Sequence, residues 1–186
     1  MFTSQTGNSA VGDIVAGNQK KTVNHVYQAH SPLARLYEKF RIANEDNPQV
    51  AQIAEQLQHY CSVDTDGDVR GLEEKLTAAN RNDILRKARQ LKEAAAKIIM
   101  KWQTSGVAQD IITIILGQLY SSFILHASPA IEEGKSRMEV DLIISEKVIS
   151  PSAAMLGDND LMLTPADILG LLFFLGGNCH VRWDKC

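Results

Sequence analysis

Apolar residues recur at helical spacing along most of the chain. Two early segments show this pattern on one helix face each, with Leu33, Leu36, Tyr37 and Phe40 in the first and Val50, Ile53, Ala54 and Leu57 in the second. The same spacing predicts longer helices at about residues 82–103, 107–126, 137–149 and 165–175. The second of these is apolar on most sides, as a central helix would be. The pattern therefore predicts a mainly α fold whose helical body contains about six or seven helices.

Each of the five prolines follows a residue that commonly caps a helix. The pairs are Ser31-Pro32, Asn47-Pro48, Ser128-Pro129, Ser150-Pro151 and Thr164-Pro165. A capping side chain followed by proline is typical of a helix start, because the N–H that proline lacks has no intrahelical partner at that position. We therefore expect each proline to begin a helix. We also expect Asn82 to cap the helix that follows it.

Glycine recurs every five residues near the amino terminus, at Gly7, Gly12 and Gly17. Gly beside Asn or Asp is typical of turns, and the Val, Ile and Ala between these turns favour extended structure or fill small spaces. Short extended pieces of this kind bury too little apolar surface to fold alone. Residues 1–30 are therefore predicted to form an extended arm that associates with another surface through Gly7, Gly12, Asp13, Ile14, Val15 and Gly17.

The pattern changes again at the carboxyl end. Gly176-Gly177-Asn178 indicates a helix stop, after which Cys179, Val181 and Trp183 alternate with His180, Arg182 and Asp184 as in a strand. The prediction is a domain over residues 31–186 that ends in a short strand, with β segments at both termini meeting in a small sheet. We expect a structural C-terminal motif formed by Gly177, Asn178, Cys179, His180 and Trp183, with Cys179 and Trp183 facing inward.

Composition narrows the class of protein further. A net charge of −3 and a pI near 5.9 argue against general binding of nucleic acid, which needs many cations to displace counterions. Three cysteines without a short-range pairing pattern fit a reducing cytosol. The apolar stretches at residues 111–116 and 168–175 are shorter than the roughly 18 to 20 residues that span a bilayer. We therefore expect a cytoplasmic protein that does not enter the membrane.

Several apparent motifs for catalysis or ligand binding are incomplete. Gly134-Lys135-Ser136 has Pro129 where a P-loop needs glycine, and the calcium-like loop that starts at Asp64 has Lys75 where a glutamate is needed. A zinc site could use His59, Cys61, Cys179, His180 and Cys186, but adjacent residues of a strand point to opposite faces. We therefore predict no metal, no cofactor and no catalytic residue.

Four segments are distinctive when taken together, namely residues 31–40, 53–60 and 71–76 and the ending Leu-Gly-Gly-Asn-Cys-His-Val-Arg-Trp at 175–183. They resemble the C-terminal domains of bacterial ABC-three-component conflict systems, the group that includes Lamassu-type antiphage systems. The Gly-Asp-Ile-Val-Ala-Gly element at residues 12–17 is similar to segments of such proteins too. The resemblance implies a domain that trails an effector, often a nuclease or protease, and couples it to an SMC-like ATPase and a small middle component. No effector precedes the glycine repeat of Gly7, Gly12 and Gly17, so we expect a separate subunit or an effector encoded elsewhere.

The function expected from this reading is a non-catalytic interaction or assembly module of an antiphage conflict system. Its expected partners are further copies of the chain and other protein subunits such as the SMC-like ATPase and the effector. One alternative is an enzyme with a site around His180, Arg182, Trp183 and His59. Another is a nucleic-acid sensor that uses the basic residues of the long helix at 81–97, namely Arg81, Arg86, Lys87, Arg89, Lys92 and Lys97.

Overall fold

The computed structural model describes residues 36, 39, 55–64, 70–157 and 159–185. Within these residues the fold is mainly helical, with six helices and no strand. The helices are α1 (Glu55–Cys61), α2 (Leu72–Ala78), α3 (Leu85–Lys101), α4 (Gly106–Glu132), α5 (residues 137–154) and α6 (Pro165–Gly177). The predicted mainly α class is confirmed. The extended arm at residues 1–30 and nearly all of the helix expected after Ser31 lie outside the described residues.

Helix α4 forms the centre of the domain. It begins at an N-cap, where Ser105 Oγ accepts a hydrogen bond from the N–H of Ala108, and it packs against α1, α5 and α6. The side chains of Ile111, Ile112 and Phe123 are fully buried. By length and composition this helix could cross a bilayer, but the core helices of soluble proteins pass the same test. The burial of these side chains and the packing against three helices confirm the predicted central position of α4. The helix continues beyond its predicted end to Glu132.

Two Ser-Pro pairs lie inside helices, so the prediction that Pro129 and Pro151 begin helices was wrong. Pro129 follows the π-helical segment Phe123–Ala127 of α4, and Pro151 follows the π-helical segment Ile144–Ile149 of α5. In each helix the serine before proline donates its N–H to the carbonyl five residues earlier. A proline ring crowds the carbonyl four residues before it, and the wider π turn accommodates that ring without ending the helix. The two π segments pack against each other.

Pro165 does begin a helix, as the sequence predicted. Thr164 Oγ1 accepts a hydrogen bond from the N–H of Asp167, and Asp167 Oδ2 accepts one of 2.8 Å from the N–H of Thr164. This reciprocal capping box fixes the start of α6. The expected cap at Asn82 was wrong, because Asn82 is itself the first residue of a 3-10 turn that leads into α3, and the residues in the cap positions are Arg81 for the turn and Ile84 for α3.

Helices α3 and α6 pack against each other and approach closely at Gly170. A Cβ atom placed on Gly170 would lie 2.7 Å from the carbonyl oxygen of Leu91 and 3.5 Å from the Cβ of Ala95. The backbone of α3 cannot yield as a flexible side chain would. Small residues at 95 and 170 therefore set the distance between the two helices.

Replacing Gly170 with alanine should separate α3 from α6 and destabilise the fold. We expect the free energy of unfolding of Gly170→Ala to fall by about 1–3 kcal/mol, as is typical of overpacking a core contact. The matched control is Gly106→Ala, because a Cβ at Gly106 would meet no described atom within 4 Å. Urea denaturation should show the control to be as stable as the original chain, and equal stability of the two variants would contradict the prediction.

Candidate functional site

The residues after α6 form an irregular segment, so the predicted C-terminal strand was wrong. Cys179 has a φ of +67°, and the N–H of His180 donates to the carbonyl of Leu175. This left-handed turn folds the chain back at the end of α6. Strand-like alternation also fails, because His180, Val181 and Trp183 are all buried. We call residues 178–184 the C-terminal segment.

A buried lysine from α2 holds the C-terminal segment to the helical body. Lys75 is only 1% exposed, and its Nζ lies 3.0 Å from the carbonyl oxygen of Gly176 and 3.5 Å from that of Val181. One ammonium group therefore binds both the end of α6 and the segment that follows it. Sequence reasoning missed Lys75, although its position between Leu72 and Leu76 places it on the apolar face of α2.

The ring of Trp183 fills the space between α4 and α6. It is 5% exposed, and its centroid lies 5.6 Å from those of both Phe123 and Phe173. A Cβ on Gly176 would lie 2.5 Å from this indole, and a Cβ on Gly177 would lie 2.6 Å from Cε of Lys92. The glycines at the end of α6 thus leave room for the indole and for the stem of a basic side chain.

Polar contacts join the C-terminal segment to α1 and to the chain before α2. Asn178 Nδ2 donates to the carbonyl of Tyr60 at 2.9 Å, and the carbonyl of Asn178 accepts from the N–H of Asp64 at 3.0 Å. Arg70 pairs with Asp184 at 2.5 Å. The half-buried Cys179 has its Sγ 3.5 Å from the carbonyl oxygen of Arg70. The structural role proposed for the motif from Gly177 to Trp183 stays a prediction, and truncation of Trp183 tests it.

His180 lies within a cluster of rings. Its centroid is 5.2 Å from that of His59, 5.7 Å from that of Tyr60 and 6.3 Å from that of Tyr120. Its Nε2 is buried and has no hydrogen-bond partner among the described residues. Burial lowers the pKa of His180, and the neighbouring His59 lowers it further. The Asp64 carboxylate and hydrogen bonding to the backbone of Ser62 and Tyr60 oppose this shift.

The ring cluster brings together two members of the enzyme alternative, His59 and His180. Arg182 is directed to Glu132 of α4, at 3.4 Å, and Trp183 packs against its aromatic neighbours. A neutral imidazole such as His180 can accept a proton. Burial also raises the pKa of Tyr60, with a contribution from Tyr120, so the phenol stays protonated.

The cysteines and histidines considered for zinc do not converge in the described part of the chain. No three His, Cys, Asp or Glu side chains there lie close enough to hold a metal ion together. Cys61 and Cys179 are free thiols, and burial raises the pKa of Cys61. Cys186 lies outside the described residues.

The six basic residues assigned to the long helix from the sequence have different environments, and Arg81 precedes α3 rather than lying on it. Arg81 is buried and paired with Asp141 of α5, Arg89 pairs with Glu73 at 2.7 Å, and the stem of Lys92 lies against Gly177. The remaining three, Arg86, Lys87 and Lys97, are exposed. Three of these six basic residues therefore make contacts within the domain.

The described residues form a helical body with a buried C-terminal segment, and they contain no cluster of metal-binding side chains. The protein is therefore a small all-helical domain. Residues 71–183 match the family model for C-terminal domain 9 of the ABC-three component (ABC-3C) systems. The match covers more than half of the chain, so the chain belongs to this family, and the resemblance to such domains is confirmed. The matched region begins one residue before α2 and ends at Trp183. No curated protein and no solved structure matches the chain.

Removing the indole of Trp183 should strongly destabilise the domain. Truncation of a buried tryptophan typically costs about 3–5 kcal/mol, so Trp183→Ala should unfold at far lower urea concentration or fail to express in soluble form. The half-buried Trp102, whose ring is contacted by Lys101, provides the control variant Trp102→Ala, for which a smaller loss is expected. Near-normal stability of Trp183→Ala would contradict a structural role for Trp183.

The lowered pKa of His180 predicts that stability decreases in mild acid. The unfolded chain takes up a proton near the ordinary histidine pKa of about 6.5, whereas the folded ring takes it up only at lower pH. The stabilisation is thus complete above the unfolded pKa and is lost as the pH falls through the folded one. Urea denaturation between about pH 7.5 and pH 5.5 measures this slope.

His180→Phe should flatten that slope, because phenylalanine keeps an aromatic ring and does not titrate. The control is His59→Gln, which removes the exposed histidine of the same cluster and should retain most of the slope. An unchanged slope in His180→Phe would show that another group titrates in this range.

Proposed function

We propose that this domain is a non-catalytic interaction module that assembles components of a bacterial antiphage conflict system. The observation that carries the proposal is a set of exposed apolar side chains on two helices that pack together. Leu125 of α4 is 69% exposed, and Met138 and Leu142 of α5 are 79% and 56% exposed. Met138 and Leu142 are four residues apart and share one helix face. Exposed apolar groups of this kind are typical of protein interaction sites.

The proposed partners are other protein subunits of the system, which membership in a multi-component family supports. An SMC-like ATPase and an effector are the expected subunits, and a second copy of the chain is the other candidate. Whether the system is of the Lamassu type also belongs to the proposal. The arm with Gly7, Gly12, Asp13, Ile14, Val15 and Gly17 is proposed as an additional contact and lies outside the described residues.

Charged substitutions on α5 should prevent assembly without unfolding the domain. We expect Met138→Lys combined with Leu142→Lys to reduce co-purification with the proposed SMC-like ATPase partner, because lysine would have to lose its hydration in the contact. Met162→Lys is the control, since Met162 is 84% exposed and lies outside α4 and α5. Light scattering measures self-association of the same variants and of a chain that begins at Ala29.

Assembly that survives both the double substitution and removal of the arm would contradict the proposed contacts. If only removal of the arm abolishes assembly, the arm is the contact and the α4 and α5 face is not. Circular dichroism of each variant shows that the fold is retained, so a loss of binding can be assigned to the contact.

An enzyme is the second candidate, and the close pair His59 and His180 is the observation that favours it. A histidine with a perturbed pKa beside another titratable ring is a common feature of catalytic sites. A nucleic-acid sensor receives less support, because three of the six basic residues of the long helix are engaged within the domain. Binding to DNA that weakens steeply with salt would favour the sensor.

A further inference from the structure

A cavity of about 320 Å³ opens between α3, α5 and α6. Leu91, Phe173 and Trp183 are among the apolar residues that line it. The π segment Ile144–Ile149 supplies a wall of the cavity through Ile144, Ser145 and Ile149. Cavities of this size with mostly apolar walls are typical of small-ligand sites, and π segments often occur at functional sites.

Arg81 is the unusual polar group of this cavity. Its side chain is only 4% exposed and pairs with Asp141, but its Nε is buried and has no hydrogen-bond partner among the described residues. A buried N–H without an acceptor is costly, and such a group in a native structure needs an explanation. A ligand atom that accepts a hydrogen bond at this point would provide one.

The charges around the cavity leave an excess of positive charge. Arg81, Lys87 and Arg137 line it, and Asp141 is the acidic lining residue. Asp83 neutralises Arg137 through two hydrogen bonds of 2.8 Å. Three cations against these two carboxylates leave one positive charge, and the exposed Lys87 forms no ion pair with any described residue. The site is therefore complementary to one anionic group.

We infer that this cavity binds a ligand with an apolar or aromatic body and a single anionic group, such as a carboxylate. The guanidinium of Arg81 binds the anion, and the apolar walls, including the indole of Trp183, contact the body. This inference does not rest on the proposed assembly role, because the cavity is a different feature from the exposed side chains Leu125, Met138 and Leu142.

Fluorescence titration of the full chain tests the inference, with Trp183 as the reporter in the cavity. Two dyes serve as probes: anilinonaphthalene sulfonate, which has an aromatic body and one anionic group, and N-phenylnaphthylamine, which has a similar body and no charge. We expect saturable binding of the anionic dye that quenches Trp183 and weakens with salt. Trp102→Phe leaves Trp183 as the reporting indole.

Arg81→Met should weaken binding of the anionic dye by at least about tenfold, since a charge-assisted hydrogen bond is lost, and should leave the neutral dye nearly unaffected. Asp141 keeps Arg137 as a partner in this variant, so no unpaired carboxylate is created. Arg89→Met is the matched control, because Arg89 is an arginine of α3 that is paired with Glu73 and lies outside the cavity lining. It should bind both dyes as the original chain does.

A second variant keeps the inference testable if Arg81→Met does not fold. Ser145 lines the cavity and is exposed, so Ser145→Phe should block the cavity and reduce the binding of both dyes. Equal affinity of the original chain, Arg81→Met and Ser145→Phe for the anionic dye would overturn the site. Equal affinity of the original chain for the two dyes would overturn the role of the anion.

Competition distinguishes two sources of this ligand chemistry. Phenylbutyrate represents a free small acid, and a capped peptide containing adjacent Leu and Glu represents an acidic side chain of a partner. Displacement of the dye by one of them supports the site and identifies the source. Failure of both to displace it would overturn the inference, while leaving the assembly role to be judged by co-purification.

Discussion

The buried ammonium of Lys75 organises the end of the domain. An isolated charge in a protein interior is expensive, and it is tolerated here because two backbone carbonyls surround it. Those carbonyls belong to Gly176 and Val181, so the ion fixes the turn that reverses the chain after α6. The positions of His180 and Trp183 follow from that turn. The ring cluster and one wall of the cavity therefore depend on a lysine that touches neither of them in the contacts described.

Two prolines determine the local geometry of α4 and α5, because each is preceded by a wider helical turn. Pro129 and Pro151 each follow a π segment, and the two segments pack side by side. A regular α-helix with proline at these positions would lose a hydrogen bond and kink. The wider turn keeps both helices continuous, and in α5 it also supplies residues to the cavity wall. The space that each proline ring requires thus affects the length of the helices, their packing and the shape of the cavity.

The helices could be predicted because their signals are local. Apolar spacing located α3 to α6, and the Thr164-Pro165 pair marked the start of α6. The same rules failed at Pro129 and Pro151, since a Ser-Pro pair looks identical at a helix start and after a π turn. The C-terminal alternation over only three apolar positions could not distinguish a strand from an irregular segment with three buried residues.

Other features could not be predicted from the sequence, because they depend on residues that are distant along the chain. Cys179 adopts positive φ without being glycine, and the contact of Lys75 with Val181 joins residues 106 positions apart. The cavity likewise needs three helices and Trp183 to be placed before it exists. The family resemblance was visible because it rested on identifiable residues near the end of the match, from Gly177 to Trp183.

The C-terminal segment also links two surfaces mechanically. Asn178, at its beginning, is bonded to the last turn of α1, and Trp183, near its end, lines the cavity. Only four residues separate these two anchor points, so the segment is too short to absorb a large change at one of them. A force that displaces α1 must either break the Asn178 hydrogen bonds or move the indole. A displacement of α1 would thus be passed through the C-terminal segment to the cavity that Trp183 lines.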